Sequence, residues 1–217
     1  MANIVISIGR QFGSGGKEIG MKLAEKLKIH CYDSELLSLA ARESGFCEEV
    51  IRTNDEKPVN SFIYNLVMDT YSMTGYSSAP FVDMPTNHKV FLAQFDMIKA
   101  LAKKEPCVII GRCADYVLDD DPNCVSIFVH APISFRSTRV ANIVKANGAR
   151  KVDDYIKKMD KQRSNYYSYY TSKKWGDAKS YDLTLDSSVL GIDKTVDVII
   201  AYLKLRFRDF NLPHVST

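Results

Sequence analysis

Apolar residues fall into two rhythms along this chain, and the two alternate. Ile4, Val5, Ile6 and Ile8 form a short β-branched run, the pattern of a strand buried in a parallel sheet. A glycine-rich turn follows. Ile19, Leu23 and Leu27 then recur at four-residue spacing with Ala24 beside them, so one helical face is apolar and can lie back on the sheet. KIHCYD, from Lys28 to Asp33, reads as a second short strand, and Leu36, Leu37, Ala40 and Ala41 mark the inner face of a helix from about Glu35 to Gly45. Phe91, Phe95, Ile98 and Ala102 fall at i, i+4, i+7 and i+11 in a helix from His88 to Lys104, which leads through Pro106 into the strand CVIIG.

The same alternation continues to the end of the chain. VSIFV, from Val125 to Val129, is another buried strand, and Pro132 opens a helix at its first turn. Asn147-Gly148 breaks that helix, and a second long one runs from about Asp153 to Tyr170. YDLTLD makes a last strand, followed by a helix from Ile192 to Phe207 with Val196, Ile199, Ile200, Leu203 and Phe207 inward, and the tail NLPHVST is expected to fray. Strands near Ile4, Ile29, Val108, Ile127 and Leu183, alternating with helices, predict an α/β fold with a five-stranded, mainly parallel sheet. The stretch from Cys47 to Asn87 fits this rhythm least. Helical pieces around Glu48–Thr53 and Ser61–Tyr71 end in the loop TGYSSAPFVDMPTN, and the segment suits a lobe over a substrate, a surface excursion or a dimer contact.

Composition narrows the classes. A chain of 217 residues holds one α/β domain with a sizeable core. With Lys+Arg 29 against Asp+Glu 26, a general nucleic-acid-binding face is not expected. Cys31, Cys47, Cys107, Cys113 and Cys124 are odd in number and contain no C-x-x-C pair, so they predict neither a disulfide framework nor a zinc site, and most of them are expected to be buried small apolar residues. No signal-peptide pattern and no apolar run of membrane-spanning length are found, and the expectation is a cytoplasmic monomer or homodimer with no membrane partner.

Candidate chemistry begins at the first turn, which holds Gly9, Gly13, Gly15 and Gly16 with Lys17 at its end. Glycines let backbone N–H groups approach an anion, the helix N-terminus adds its positive dipole end, and the lysine adds a full charge. Gly16-Lys17 fits the second half of the phosphate-loop pattern G-x-x-x-x-G-K-[ST]. Gln11 stands where the first glycine belongs, and Glu18 where the magnesium-binding hydroxyl belongs. Asp33 falls at the C-terminal end of the second strand, where open α/β sheets bind substrates, and is read equally as a cap for the next helix. Arg112 follows Gly111 at the end of the third strand and can grip a phosphate bidentately, or else pair with Asp115 or Asp119. Arg136 and Arg139 lie three residues apart on one helix, and Arg163 and Asp160 on the next. Helix, basic turn with Arg150 and Lys151, and helix together would form a lid that brings arginines onto a transferring phosphoryl group. The competing reading is a solvated face. Tyr166, Tyr167, Tyr169 and Tyr170 recur at helical spacing and are read as core or interface.

The opening stretch IVISIGRQFGSGGKEIGMKLAEKLKIHCYDSELL resembles that of the cytidylate kinase-like proteins, a branch of the P-loop nucleoside monophosphate kinases. The likeness continues in order through VIIGR, VSIFVHAPISFRSTR, DKQRSNYY and YDLTLDSS. It implies a P-loop NTPase-type three-layer sandwich with a helical acceptor-binding lobe and a helical lid. In that arrangement 1–217 is a single kinase domain, with its core about 1–33, 105–135 and 175–210, the acceptor-side lobe about 34–104 and the lid about 136–172.

The resemblance also assigns roles. Gly13, Ser14, Gly15, Gly16, Lys17 and Glu18 would hold the donor ATP with its Mg2+. Arg112 would hold the acceptor phosphate, and Arg136, Arg139 and Arg163 would clamp the phosphates during transfer. Asp160 would contact the acceptor or orient an arginine, with Asp33 and Ser34 also on the acceptor side. The acceptor implied is a small molecule, most simply a nucleoside monophosphate such as CMP; the other readings are a kinase of a non-nucleotide acceptor and a nucleotide-binding regulator that has lost catalysis. The chain departs from the family pattern in three places. Cytidylate kinases proper read Asp-Gly-Arg-Asp where this chain has Ile110-Gly111-Arg112-Cys113, they carry an arginine where Leu39 falls, with Arg42 one helical turn later, and their glycine loop is one residue shorter.

Overall fold

A computed structural model describes residues 3–33, 86–146 and 151–207. Five strands form one sheet: β1 (Val5–Arg10), β2 (His30–Tyr32), β3 (Cys107–Ile110), β4 (Cys124–His130) and β5 (Leu183–Asp186). Their spatial order is β2-β3-β1-β4-β5 and every pairing is parallel, which sharpens the expectation of a mainly parallel sheet. The helices are α1 (Gly16–Leu27), α2 (Thr86–Lys104), a short α3 (Ala114–Val117), α4 (Ile133–Ala146), α5 (Val152–Thr171) and α6 (Ser187–Arg206).

Strand alternation sorts the core into two layers. Ile4, Ile6 and Ile8 with Val108, Ile110, Val125, Ile127 and Val129 face α1 and α6, whose Ile19, Leu23, Leu27, Val196, Ile199 and Leu203 complete one cluster. Val5, Cys107 and Ile109 point the other way, onto Val90, Ile98, Leu101 and Ala102 of α2 and onto α3. The result is helix, sheet, helix. Gly20 allows α1 to press close to the sheet, since a Cβ there would come 2.4 Å from Cδ1 of Ile110. An aromatic cluster joins α2 to α5: Tyr170 is fully buried and stacks on Phe91 at 3.9 Å, with Tyr166 and Tyr167 also buried. The tyrosine run of α5 is therefore core, as its spacing predicts.

Several boundaries differ from expectation: α2 begins at Thr86, inside the predicted loop, and β5 at Leu183 rather than Tyr181. Lys28 does not begin β2; it closes α1 in the left-handed conformation at φ 54°, its N–H bonding the Glu25 carbonyl at 3.1 Å. The last helix begins earlier than Ile192, at Ser187, but Gly191 at φ 74° and ψ 175° breaks it, so the regular part does start where the pattern put it. The helices and loop predicted between Glu35 and Pro85, with Ser34, Leu39, Arg42 and Cys47, lie outside the described residues, as do Arg150 and the tail. Among the described residues no helix is long and apolar enough to cross a membrane.

Candidate phosphate-binding site

Topology selects the place. The chain leaves β1 toward β2 on one side and leaves β3 toward β4 on the other, so the crevice between the C-terminal ends of β1 and β3 is a switch point where open α/β sheets bind ligands. The glycine loop flanks it after β1, and Gly111-Arg112 flanks it after β3.

Residues 11–15 of the loop are tied down from several sides. Gln11 replaces the expected glycine, and its N–H donates to the Val129 carbonyl at 3.0 Å while its side-chain Oε1 accepts from the Ala131 N–H at 3.2 Å, so it anchors the loop to the end of β4. Ser14 is fully buried; its hydroxyl donates to the Gln11 carbonyl at 2.9 Å, and its own carbonyl accepts from Ser187 Oγ at 2.5 Å. Gly13 and Gly15 adopt φ of 80° and 84°, which an L side chain rarely does. A Cβ on Gly13 would meet Val140 at 3.0 Å, and one on Gly15 would meet Ile192 at 2.3 Å. Both glycines are required by space as well as by backbone.

The cations converge on this loop. Lys17, 60% exposed, forms an ion pair with Asp33 at 2.7 Å. Arg139 of α4 donates to Glu18 at 2.8 Å, and its Nη2 would lie 3.5 Å from a Cβ on Gly15. Arg136 is buried. Its Nη1 donates to Asp160 at 2.5 Å and to the Phe12 carbonyl at 3.2 Å, while the Phe12 N–H donates to the other oxygen of Asp160 at 2.7 Å. Asp160 of α5 thus closes a ring around one residue of the loop. Arg163, one turn further along α5, donates to the Arg10 carbonyl at 3.3 Å and lies over the Phe12 ring at 5.7 Å.

Phe12 itself packs into the hydrophobic seam between α4 and α5 with Val140, Val144 and Ile156, its ring edge-on to Tyr155 at 5.6 Å. Sequence reasoning noted Gln11 only as a departure from the phosphate-loop pattern and did not single out Phe12. A large aromatic inside a glycine turn, followed by an apolar helical hairpin, is the signal that would have found Phe12.

Arg112 sits buried at the end of β3, within a run of three left-handed residues: Gly111 at φ 75°, Arg112 at 56° and Cys113 at 55°. The acids proposed as its alternative partners are engaged elsewhere. Asp119 pairs with Lys173 at 2.8 Å, and Asp115 accepts from the Tyr167 hydroxyl at 2.6 Å. Burial pushes the Asp115 carboxyl above its ordinary range, the Tyr167 hydrogen bond opposing this only in part. Asp115 lines a polar cavity of about 440 Å³ together with Lys173, Asp182 and Arg206. That cavity opens beside the residues that precede β4 and β5, at the end of the sheet away from the glycine loop.

A parallel sheet in this order, with a glycine loop between its central strand and the first helix, defines a P-loop kinase fold. The profile of the cytidylate kinase-like family matches residues 5–189, and the chain belongs to that family. A comparison with curated proteins finds no match. Among solved structures, an uncharacterized protein from Eubacterium ventriosum shares 29% identity, with 93% of this chain and 99% of that one covered at a TM-score of 0.63. Shikimate kinase from Bacteroides thetaiotaomicron aligns at 12% identity and a TM-score of 0.52, over 93% of this chain and 98% of that one. The shikimate kinase from Acinetobacter baumannii, in complex with shikimate, aligns at 10% and 0.50, over 93% of each chain. Likeness at these identities shows the fold alone.

Proposed function

We propose that this protein transfers the γ-phosphoryl group of ATP to a small acceptor, most simply a nucleoside monophosphate such as CMP. The observation that carries the reading is the convergence of Lys17, Arg136, Arg139 and Arg163 on a loop whose glycines leave no room for side chains. The residues fit a donor's phosphates. Nη1 of Arg136 is already committed to Asp160 and Phe12, while its buried Nε has no hydrogen-bond partner, and a phosphate oxygen would satisfy it. For magnesium the usual hydroxyl is missing: Glu18 takes its place and binds Arg139, and the Ser14 hydroxyl is spent on Gln11. A magnesium ion would be held chiefly by the nucleotide's phosphates and water.

In this reading Gly13, Gly15 and Gly16 present backbone N–H groups to the donor, and Lys17 bridges its phosphates. Arg112, at the switch point, holds the acceptor phosphate. Arg136, Arg139 and Arg163 neutralise the charge of the group in transit. Asp160 is the acid that orients Arg136. Positioning and charge neutralisation supply the catalysis, with no covalent intermediate.

A coupled ADP-release assay over nucleoside monophosphates and non-nucleotide alcohols tests this. Turnover with at least one acceptor is expected; tight ATP binding with no turnover on any of them would leave a nucleotide-binding regulator. One observation favours a non-nucleotide acceptor as the second reading. Asp115, the acid nearest in sequence to Cys113, where cytidylate kinases proper carry the second aspartate of Asp-Gly-Arg-Asp, gives its carboxyl to Tyr167 and to the cavity at the far end of the sheet.

A further inference from the structure

Each cation of the site that carries an ion pair is neutralised by an acid of the same site, and burial divides these pairs into two kinds. Arg136 and Asp160 are 9% and 16% exposed at their side chains, and Asp160 also holds a loop N–H. That pair is part of the framework. Lys17 is 60% exposed and meets Asp33, 19% exposed, through a single 2.7 Å contact between the first and second strands' loops. Neither residue has another hydrogen bond or ion pair among the described contacts. A contact of this kind, half in solvent, is easily exchanged.

We propose that Asp33 is the resting counter-ion of Lys17 and that ATP displaces it, which releases Asp33 to position the acceptor. This rests on the reading of Lys17 as a donor-phosphate ligand. A carboxylate 2.7 Å from the ammonium cancels the charge that the phosphates need, and its own charge opposes theirs. Phosphates taking Lys17 therefore remove the one cation that pairs with Asp33 among the described residues. The freed acid has a definite location. Tyr32 is in register with Ile109 of β3, so Asp33 stands level with Ile110, two residues before Arg112, on the neighbouring strand. A carboxylate there accepts a hydrogen bond from a hydroxyl of an acceptor whose phosphate Arg112 holds. Donor binding thus prepares the acceptor site, and by linkage the acceptor, in occupying Asp33, leaves Lys17 to ATP.

The consequence runs against the usual effect of removing an active-site acid. Asp33→Asn should bind the donor more tightly, while Asp160→Asn should bind it more weakly because Arg136 loses its orientation. The test is calorimetric titration of the full chain with the non-hydrolysable analogue AMPPNP and magnesium, alone and with CMP present. Expected for D33N is an AMPPNP affinity about two- to five-fold higher than wild type, the range of a partly exposed ion pair. CMP should raise AMPPNP affinity in wild type and leave it unchanged in D33N. Asp33→Ala should behave as D33N does, and guards against an amide-specific effect. Equal or weaker AMPPNP binding by both folded variants overturns the proposal while leaving the phosphate site intact. Failure of the folded wild-type chain to bind AMPPNP at all overturns the phosphate reading and the coupling with it.

Discussion

Replacing Asp160 by alanine removes the anion that ties two helices to the glycine loop, and the structure sets the size of the effect. Two hydrogen bonds disappear, one from the Phe12 N–H at 2.7 Å and one from Arg136 Nη1 at 2.5 Å. Arg136 remains behind with 9% of its side chain exposed, a cation with only the Phe12 carbonyl left to it. Hydrogen bonds to charged groups contribute about 1.5–3 kcal/mol, and breaking one side of a buried pair costs about 3–5 kcal/mol. Asp160 is 16% exposed, so water reaches part of the gap and the lower end applies, about 3 kcal/mol. In a chain of this size that is a fall in Tm of about 6–12 °C. Urea unfolding should show the midpoint moving down with an unchanged slope. The double variant with Arg136→Ala should lose much less than the sum of the two, with a coupling of about 1–3 kcal/mol. A loss below about 0.5 kcal/mol for Asp160→Ala, or strict additivity with Arg136→Ala, would refute the ring as an energetic unit.

Gly15→Ala forces a side chain onto a residue at φ 84° and 2.3 Å from Ile192; left-handed strain and overpacking together should cost about 2–4 kcal/mol in urea unfolding and weaken AMPPNP binding. Burial pushes the Asp182 carboxyl up, but hydrogen bonds from Ser126 and Arg206 outweigh it and leave the group below its ordinary range. Its stabilising contribution is therefore complete above the unfolded carboxylate value and is lost as pH falls through the folded one; Asp182→Asn should show a shallower acid limb in unfolding midpoint against pH, and an unchanged limb would contradict the assignment. Burial pushes the Cys31 thiol up to about 11 and those of Cys107 and Cys124 to about 12, and Cys113 is buried. Thiol titration of the native protein near neutral pH should find at most one fast cysteine, and several fast ones without denaturant would contradict it.

Much of the fold could be read along the chain because each element carries its own periodicity. Phe91, Ile98 and Ala102 mark a helical face that is indeed buried, and the β-branched runs around Ile6, Val108 and Ile127 are the central strands. The errors sit at boundaries, where capping decides. The second strand was expected to start at Lys28, yet α1 ends on that residue through a left-handed backbone that hydropathy does not encode. At the site, the residue types were readable and their partners were not. Lys17, Arg136, Arg139 and Arg163 were named from the sequence and the fold brings them to the glycine loop, but nothing in the order of residues pairs Lys17 with Asp33 or Arg139 with Glu18. Cys107, Cys113 and Cys124 are buried while Cys31 is partly exposed, and Tyr166, Tyr167 and Tyr170 are core, because burial of small or aromatic residues at regular spacing follows largely from hydrophobicity.

Local physics settles what is near in sequence: a buried strand, a glycine turn and an amphipathic helix follow from the order of residues, because backbone geometry and the helix N-terminus act over a few residues. The departures from the loop pattern acquire meaning only across the fold. Gln11 bonds to a strand end 120 residues away in the chain, and Phe12 is gripped by an acid 148 residues away. Glu18 finds Arg139 at a separation of 121. Such contacts depend on how parallel strands bring their C-terminal ends together, and no periodicity records them. Only the folded chain gives these residues their parts, Gln11 tying the loop to the end of β4 and Phe12 and Glu18 holding Arg136 and Arg139 of α4.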